Sequence, residues 1–71
     1  MSREYSEFRC YSPIRDCLVS RISMADSHGS EFWTEIEGEG KRYREAKSEA
    51  LSDLMEAIDS GLQPGRVVRN Q

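Results

Sequence analysis

The sequence predicts a small α+β fold, in which an antiparallel sheet of two to three strands packs against one long amphipathic helix. Two patterns lead to this fold class. Residues 43–62 carry apolar side chains at the three-and-four spacing of a helix face, and residues 31–37 alternate apolar and polar side chains as a half-buried strand does. The chain has 71 residues, 37% of them hydrophobic. Because a chain this short supports one core, we expect residues 1–71 to form a single domain.

The sequence pattern does not determine the secondary structure of the N-terminal segment, residues 1–13. It contains three of the six aromatic residues, Tyr5, Phe8 and Tyr11, among polar neighbours. A helical turn, an edge strand and an N-terminal arm all fit this composition. The sequence therefore leaves open whether this segment adds an element to the fold.

The next segment, residues 17–24 (CLVSRISM), favours a strand. Leu18, Ile22 and Met24 fall at even spacing, and the β-branched residues suit a pleated surface. A helix is the alternative, because Ser12 and the proline after it would serve as N-cap and first helical residue. With a strand here, the polar link ADSHGS closes an antiparallel hairpin to residues 31–37.

Residues 31–37 (EFWTEIE) predict the second strand of that hairpin. The side that we expect to face the core carries Phe32, Thr34 and Ile36. The other side carries Trp33, Glu35 and Glu37. We therefore expect Trp33 to be partly exposed, as aromatic anchors of interfaces often are. The alternative is that the N-terminal aromatic residues cover it.

A single helix is predicted over residues 43–62. Its apolar face consists of Tyr43, Ala46, Ala50, Leu51, Leu54, Met55, Ile58 and Leu62. Its opposite side is acidic and carries Glu45, Glu49, Asp53, Glu56 and Asp59. Gly61 suits a left-handed C-cap, and Pro64 prevents the helix from continuing. We expect residues 64–71 to form a short terminal strand, centred on residues 66–69, or a tail.

Charge and composition exclude several classes of protein. The formal net charge is -3, which disfavours a protein that coats nucleic acid through a uniformly basic surface. No run of about 18 apolar residues is present, and the charged N-terminus is unlike a secretory signal. These features predict a cytoplasmic protein. Two cysteines, Cys10 and Cys17, are too few for a disulfide framework, and we expect both to be free thiols.

Catalytic and metal-binding patterns are weak. The single histidine, His28, lies in a predicted turn, and it has no partner at a spacing diagnostic of catalysis. A zinc site built from Cys10, Cys17 and His28 would lack a close cysteine pair and a fourth ligand. We therefore predict a protein that is not an enzyme, with no catalytic residue, metal or cofactor.

The start of the helix is basic although the helix dipole favours acids there. The cations are Lys41, Arg42, Arg44 and Lys47. Gly38 and Gly40 precede them, so exposed backbone amides and positive side chains would come together as an anion or nucleic-acid site. The alternative is a mobile joint between strand and helix that carries ordinary solubilising charge.

The segment GEGKRYREAK at residues 38–47, followed by Ala50, Leu54 and Met55, resembles the last helix of a double-stranded-RNA-binding domain. In that family a basic pair and a lysine contact phosphates across the RNA major groove. The resemblance assigns this role to Arg44 and Lys47, whereas Tyr43 stands where the family usually has lysine. It implies an RNA-binding module.

A second resemblance concerns the layout of strand, turn, strand and helix. The helix EAKSEALSDLMEAIDSGLQPG is similar to that of HicB-type antitoxin partner-binding domains and of small phage-encoded inhibitors. The matching positions are Ala46, Glu49, Ala50, Leu51, Leu54 and Ile58. This resemblance implies a non-catalytic protein that covers the functional surface of another protein.

Two function hypotheses follow. The first is a small acidic protein-interaction module that occludes a basic surface of a partner protein. Its predicted contact residues are Trp33, Glu35, Glu37, Glu45, Glu49, Asp53 and Glu56. The same patch would serve as the contact of a homodimer, since small cores are often completed by self-association. The second hypothesis is RNA binding through Lys41, Arg42, Arg44 and Lys47.

Overall fold

A computed structural model describes residues 4–68. Its elements, in chain order, are β1 (Tyr5–Ser12), β2 (Cys17–Ala25), β3 (Glu31–Glu37), α1 (Gly40–Asp59) and β4 (Gly65–Arg66). The strands form one sheet in the order β1-β2-β3-β4, in which β1, β2 and β3 are antiparallel and β4 is parallel to β3. The predicted α+β class is confirmed, with three antiparallel strands and a short fourth strand.

The N-terminal aromatic segment is an edge strand, which was one of its three predicted forms. The β1–β2 register joins Tyr5 to Met24 and Ser12 to Cys17. The capping pattern at Ser12 is real, since the Ser12 hydroxyl oxygen accepts a hydrogen bond from the Arg15 backbone N–H at 3.3 Å. It caps one turn only, because the chain then reverses at Asp16, with φ +54°, and returns as β2. The helical alternative for residues 17–24 is therefore wrong.

The core lies between α1 and the middle of the sheet. Its buried apolar side chains are Ile22, Met24, Phe32, Ile36, Ala50, Leu54 and Ala57. The predicted inward side of β3 is confirmed, because Phe32, Thr34 and Ile36 are all buried. Leu18 shares the helix side of β2 and is nevertheless half exposed, because the burial of this side begins only at Ser20.

The helix begins and ends three residues earlier than predicted. It ends because Gly61 adopts φ +69°, a left-handed conformation that glycine tolerates without strain. The Leu62 N–H then donates to the Ala57 carbonyl at 3.0 Å, and the Gly61 N–H donates to the Ile58 carbonyl at 3.2 Å. This pair of hydrogen bonds is a Schellman motif. Leu62 consequently lies outside the helix and is exposed.

The chain after the helix returns to the sheet as β4. Gly65 and Arg66 pair with Phe32 and Trp33, and the Val67 N–H donates to the Trp33 carbonyl at 2.8 Å. The predicted terminal strand is thus present, two residues long and centred earlier than expected; residue 69 lies outside the described part of the chain. No helix within residues 4–68 has the length and apolar character needed to cross a membrane.

Candidate partner-binding site

The outer face of the sheet, which α1 does not cover, carries Trp33. Its indole ring is partly exposed and lies under two arginines of neighbouring strands. The Arg21 guanidinium carbon lies 3.8 Å from the ring centroid, and that of Arg66 lies 5.6 Å from it. The N-terminal strand lies beside β2 and does not cover this ring. The Trp33 ring therefore already makes cation–π contacts with two arginines of this chain.

A groove runs along the open edge of β3 and is flanked by carboxylates. Within residues 4–68, β4 pairs only with Phe32 and Trp33, so residues 34–37 have no strand partner on that side. Glu35 and Glu37 of β3 and Glu49 of α1 line the groove, together with Ile36. Two cations, Arg15 and Arg66, line it as well, and the Arg66 guanidinium lies 3.8 Å from a Glu35 oxygen.

A second groove continues along the same flank of the molecule. Asp53 and Glu56 of α1 line it, with Leu62, Val67 and Val68. We call the five acidic residues of the two grooves the acidic edge: Glu35, Glu37, Glu49, Asp53 and Glu56. Five of the seven predicted contact residues thus lie on one side of the molecule. Glu45 is exposed on the helix and lines neither groove. Trp33 shares the outer face of the sheet with Glu35 and Glu37 but lines neither groove.

The predicted basic cluster is divided by the fold. Lys41, Arg42 and Arg44 are exposed on the first turns of α1. Lys47 instead points to β1, where its Nζ lies 2.9 Å from a Glu7 oxygen and 5.2 Å from the centroid of the Tyr5 ring. The hydrogen bond to Glu7 raises the pKa of Lys47. One of the two residues to which the RNA-binding resemblance assigns phosphate contacts is therefore engaged within the protein.

Glu7 is the centre of a polar cluster that joins β1 to the helix. We define the Glu7 cluster as Glu7, Arg9, Ser20, Tyr43 and Lys47. The Tyr43 hydroxyl donates to the Glu7 carboxylate and lies 2.7 Å from the Ser20 Oγ. Arg9 Nε lies 3.1 Å from Oε2 of the same carboxylate, the oxygen that Tyr43 contacts, whereas Lys47 binds Oε1. Hydrogen bonds from Lys47, then Arg9, lower the pKa of Glu7 against the opposing effect of burial.

The residues considered for catalysis and metal binding lie apart. Cys10 and Cys17 are free thiols. The Cys17 thiol donates to a Glu37 carboxylate oxygen at 3.0 Å, which raises the pKa of the thiol and holds it protonated. His28 is exposed in the β2–β3 turn, where its backbone N–H donates to Asp26. Within the part of the chain that the structure describes, no three potential ligand side chains gather as a metal site.

Sequence reasoning missed two residues beside Trp33. The even spacing of β2 places Arg21 on the outer face, but only the register, which sets Arg21 beside Glu35 and Ser23 beside Trp33, brings it over the indole ring. For Arg66 the sequence predicts only a place in a terminal strand or tail. A parallel pairing with β3 cannot be read from two residues, so no local pattern indicates it.

Comparison of the chain with protein-family models, with curated proteins and with solved structures gives no significant match.

Proposed function

We propose that this chain is a non-catalytic, cytosolic protein-interaction module that occludes a basic surface of a partner protein, as small inhibitors and antitoxins do. The observation that carries the proposal is the groove along the open edge of β3. It combines strand backbone at residues 34–37, which within residues 4–68 has no partner strand on the side away from β2, with carboxylates from both the sheet and the helix. The partner that this combination suits is an extended segment rich in lysine and arginine.

Strand addition supplies the affinity in this proposal. An extended segment that pairs with an open edge gains main-chain hydrogen bonds, and pockets beside the edge select its side chains. In this groove those side chains would meet Glu37 on the outer face and Glu49 on the helix, with Ile36 buried between the layers. Alternating basic and apolar residues in the partner would match this arrangement.

Trp33 extends the surface beyond the groove. Buried aromatic and arginine side chains carry a large share of the binding energy at interfaces. Trp33, Arg21 and Arg66 supply both kinds at the point where β4 ends the open edge. A partner that extends from the groove onto the outer face would bury Trp33 and the two arginines that contact it.

RNA binding is the second candidate, and the exposed cations Lys41, Arg42 and Arg44 favour it. The double-stranded-RNA-binding domain has a three-stranded sheet, and three antiparallel strands precede α1 in this chain. Against it, Lys47 is only 26% exposed and is bound to Glu7. The first, RNA-binding helix of that family also has no counterpart between residues 4 and 39.

The test is a titration of the isotope-labelled protein with a short synthetic peptide of alternating lysine and valine. Backbone NMR spectra are recorded at each step of the titration. We expect the largest shift changes at residues 34–37 and at Glu49, with a change in the emission of Trp33, the only tryptophan of the chain. The variant Glu35→Gln with Glu37→Gln should weaken binding about tenfold or more, since each close charge pair at an interface contributes on the order of 1 kcal/mol.

The matched control removes the same charge at the opposite end of the strands. Glu4 and Glu31 line one surface there, and Glu4→Gln with Glu31→Gln should leave the affinity within about twofold. Equal weakening by both double variants would mean nonspecific charge attraction and would contradict the proposal. Salt-sensitive binding of duplex RNA that is lost on Arg42→Ala with Arg44→Ala, without any peptide binding, would favour the second candidate.

A further inference from the structure

We propose that two copies of this chain associate through β1, so that the two sheets join edge to edge into one antiparallel sheet. The occupant of the β1 edge is thus a second copy of the same strand. The β1 edge lies on the opposite side of the sheet from the groove, so this dimer does not depend on the proposed function.

The edge itself is long and open. In the described part of the chain, β1 pairs with β2 alone and has no strand on its other side. Proline and lysine, two residues that natural proteins place on edges to prevent pairing, do not occur between Tyr5 and Ser12. An edge of this kind is a template for another strand.

Strand β1 exposes aromatic side chains that a second strand would cover. Phe8 projects from the outer face and is 69% exposed. Tyr5 and Tyr11 lie on the helix side and are also exposed, although α1 covers the neighbouring strands. Three exposed aromatic residues thus lie on this edge strand, Phe8 on the outer face and the two tyrosines on the helix side, where Tyr5 contacts Lys47 and Tyr11 donates to Asp16.

One register makes the strand complementary to itself. When the two-fold axis passes through Phe8, the two Phe8 side chains lie opposite each other on the outer face. On the helix side, Glu7 of each copy then lies opposite Arg9 of the other, and Tyr5 lies opposite Tyr11. Directly opposed residues of antiparallel strands have Cβ atoms about 5 Å apart, so opposite charges and aromatic pairs stabilise the contact.

The neighbouring registers are not complementary. A shift of the axis by one residue toward the N-terminus sets Glu7 against Glu7 of the second copy, and the opposite shift sets Arg9 against Arg9. Like charges directly opposed across strands are destabilising. An axis between residues instead pairs helix-side with outer-face positions, so the complementary charges no longer face each other. The charges of β1 therefore select the register centred on Phe8.

The charged residues of this register already have contacts within the chain, since the Glu7 side chain is 18% exposed and is bound by Lys47, Arg9 and Tyr43. The Arg9 side chain is 59% exposed, although its Nε contacts Glu7 of its own strand and its guanidinium carbon lies 4.8 Å from the centroid of the Tyr43 ring. It therefore keeps exposed surface toward a second carboxylate. In the dimer, Glu7 and Arg9 of the two copies would form a group of four alternating charges. Lys47 of each copy would remain bound to its own Glu7. Both open β3 edges stay at the far ends of the joined sheet.

The first experiment measures molar mass in solution by light scattering after gel filtration, at increasing concentrations. We expect the mass to reach twice the 8.2 kDa of one chain. Arg9→Glu sets acid against acid in the selected register and should return the protein to one chain per particle. Arg44→Glu makes the same charge change on an exposed helix position and should dimerise as the unchanged protein does.

The second experiment covers the case in which Arg9→Glu disturbs folding. In a Cys10→Ser, Cys17→Ser background, Phe8→Cys places two thiols on the proposed axis, and mild oxidation should cross-link them. Leu62→Cys is the matched control, because Leu62 has a similar exposed fraction, 57%, and lies after the helix. We expect cross-linking at position 8 to be at least about tenfold faster, as effective concentrations within a complex are high.

Two outcomes would overturn the inference. The first is a single-chain mass at every concentration with equal cross-linking rates for the two cysteine variants, which would leave the edge to a different partner. The second is a dimer that Arg9→Glu does not weaken and that Phe8→Cys does not trap, because such a dimer would use another surface.

Discussion

The two halves of the helix-covered face of the sheet are held to α1 in different ways. Over β3 the contact is apolar, with Phe32 and Ile36 packed against Leu54. Toward β1 the contact is polar and depends on the Glu7 cluster, in which one carboxylate receives hydrogen bonds from the helix and from its own strand. The single helix is too narrow to cover β1 as well as β3. The comparison shows that hydrogen bonds and ion pairs can hold such an outlying strand to the helix.

The strongest way to break the apolar half is Leu54→Ala. Leu54 is fully buried, and removal of a buried leucine side chain costs about 3 kcal/mol in transfer energy and cavity formation. We expect a large drop in the urea midpoint, or loss of cooperative unfolding. Met55→Ala, at the adjacent and 39% exposed position, should cost less than about 1 kcal/mol. Similar midpoints for the two variants would contradict the assignment of the core.

The polar half is tested by Glu7→Gln. The variant keeps the shape of the side chain and removes the charge that Lys47, Arg9 and Tyr43 contact, so we expect a loss of about 1 kcal/mol in the free energy of unfolding. Glu31→Gln on an exposed position should change it by less than about 0.5 kcal/mol. Hydrogen exchange should show β1 amides opening more often in Glu7→Gln while β3 amides stay protected. Uniform loosening of both strands would mean that the halves are not separable.

The contribution of the polar half to the free energy of unfolding should depend on pH, because it includes the carboxylate of Glu7. The pKa of Glu7 is lowered in the folded state from its ordinary value of 4.5. Its contribution is therefore complete above pH 4.5 and is lost as the pH falls through the folded pKa. We expect the stability difference between the unchanged protein and Glu7→Gln to shrink below pH 4.5. A difference that stays constant down to unfolding would show that the charge of Glu7 contributes nothing.

The smallest effect concerns the outer face. Arg21→Ala removes the guanidinium that lies 3.8 Å from the Trp33 ring and should cost about 0.5 kcal/mol, the usual contribution of an exposed cation–π pair. Trp33 emission should change measurably. Arg44→Ala, which leaves Trp33 untouched, should not alter the spectrum, and identical spectra for the two variants would contradict the stacking.

Much of the apolar half could be predicted from the sequence. The alternation of residues 31–37 matches the bounds of β3, and the helical spacing identifies Ala50 and Leu54 as core residues. These elements were predictable because burial imposes a period on each of them. The left-handed C-cap predicted at Gly61 is confirmed by its φ of +69°. The predicted range extended to Leu62 because that residue continues the apolar period, although it lies beyond the cap.

The polar half has no comparable period of apolar residues in the sequence. Along β1 the helix side carries Tyr5, Glu7, Arg9 and Tyr11, a pattern that burial by apolar contact does not produce. The aromatic spacing of three between Tyr5, Phe8 and Tyr11 even suits a helical turn. The acidic edge likewise depends on a parallel pairing of two residues and on the closeness of β3 to α1, which are tertiary properties. Its carboxylates were predicted, whereas their division into two grooves was not.

The order of the strands also has a consequence for how the chain folds. Neighbours in the sheet from β1 to β3 are neighbours in the chain, joined by the turns at residues 13–16 and 26–30. Closing such short loops costs little entropy and is fast. The pairing of β4 with β3 spans the whole helix, so we expect it to form last and to open first. Native-state hydrogen exchange should then find the Val67 amide, bound to the Trp33 carbonyl, exchanging before the amides shared by β2 and β3.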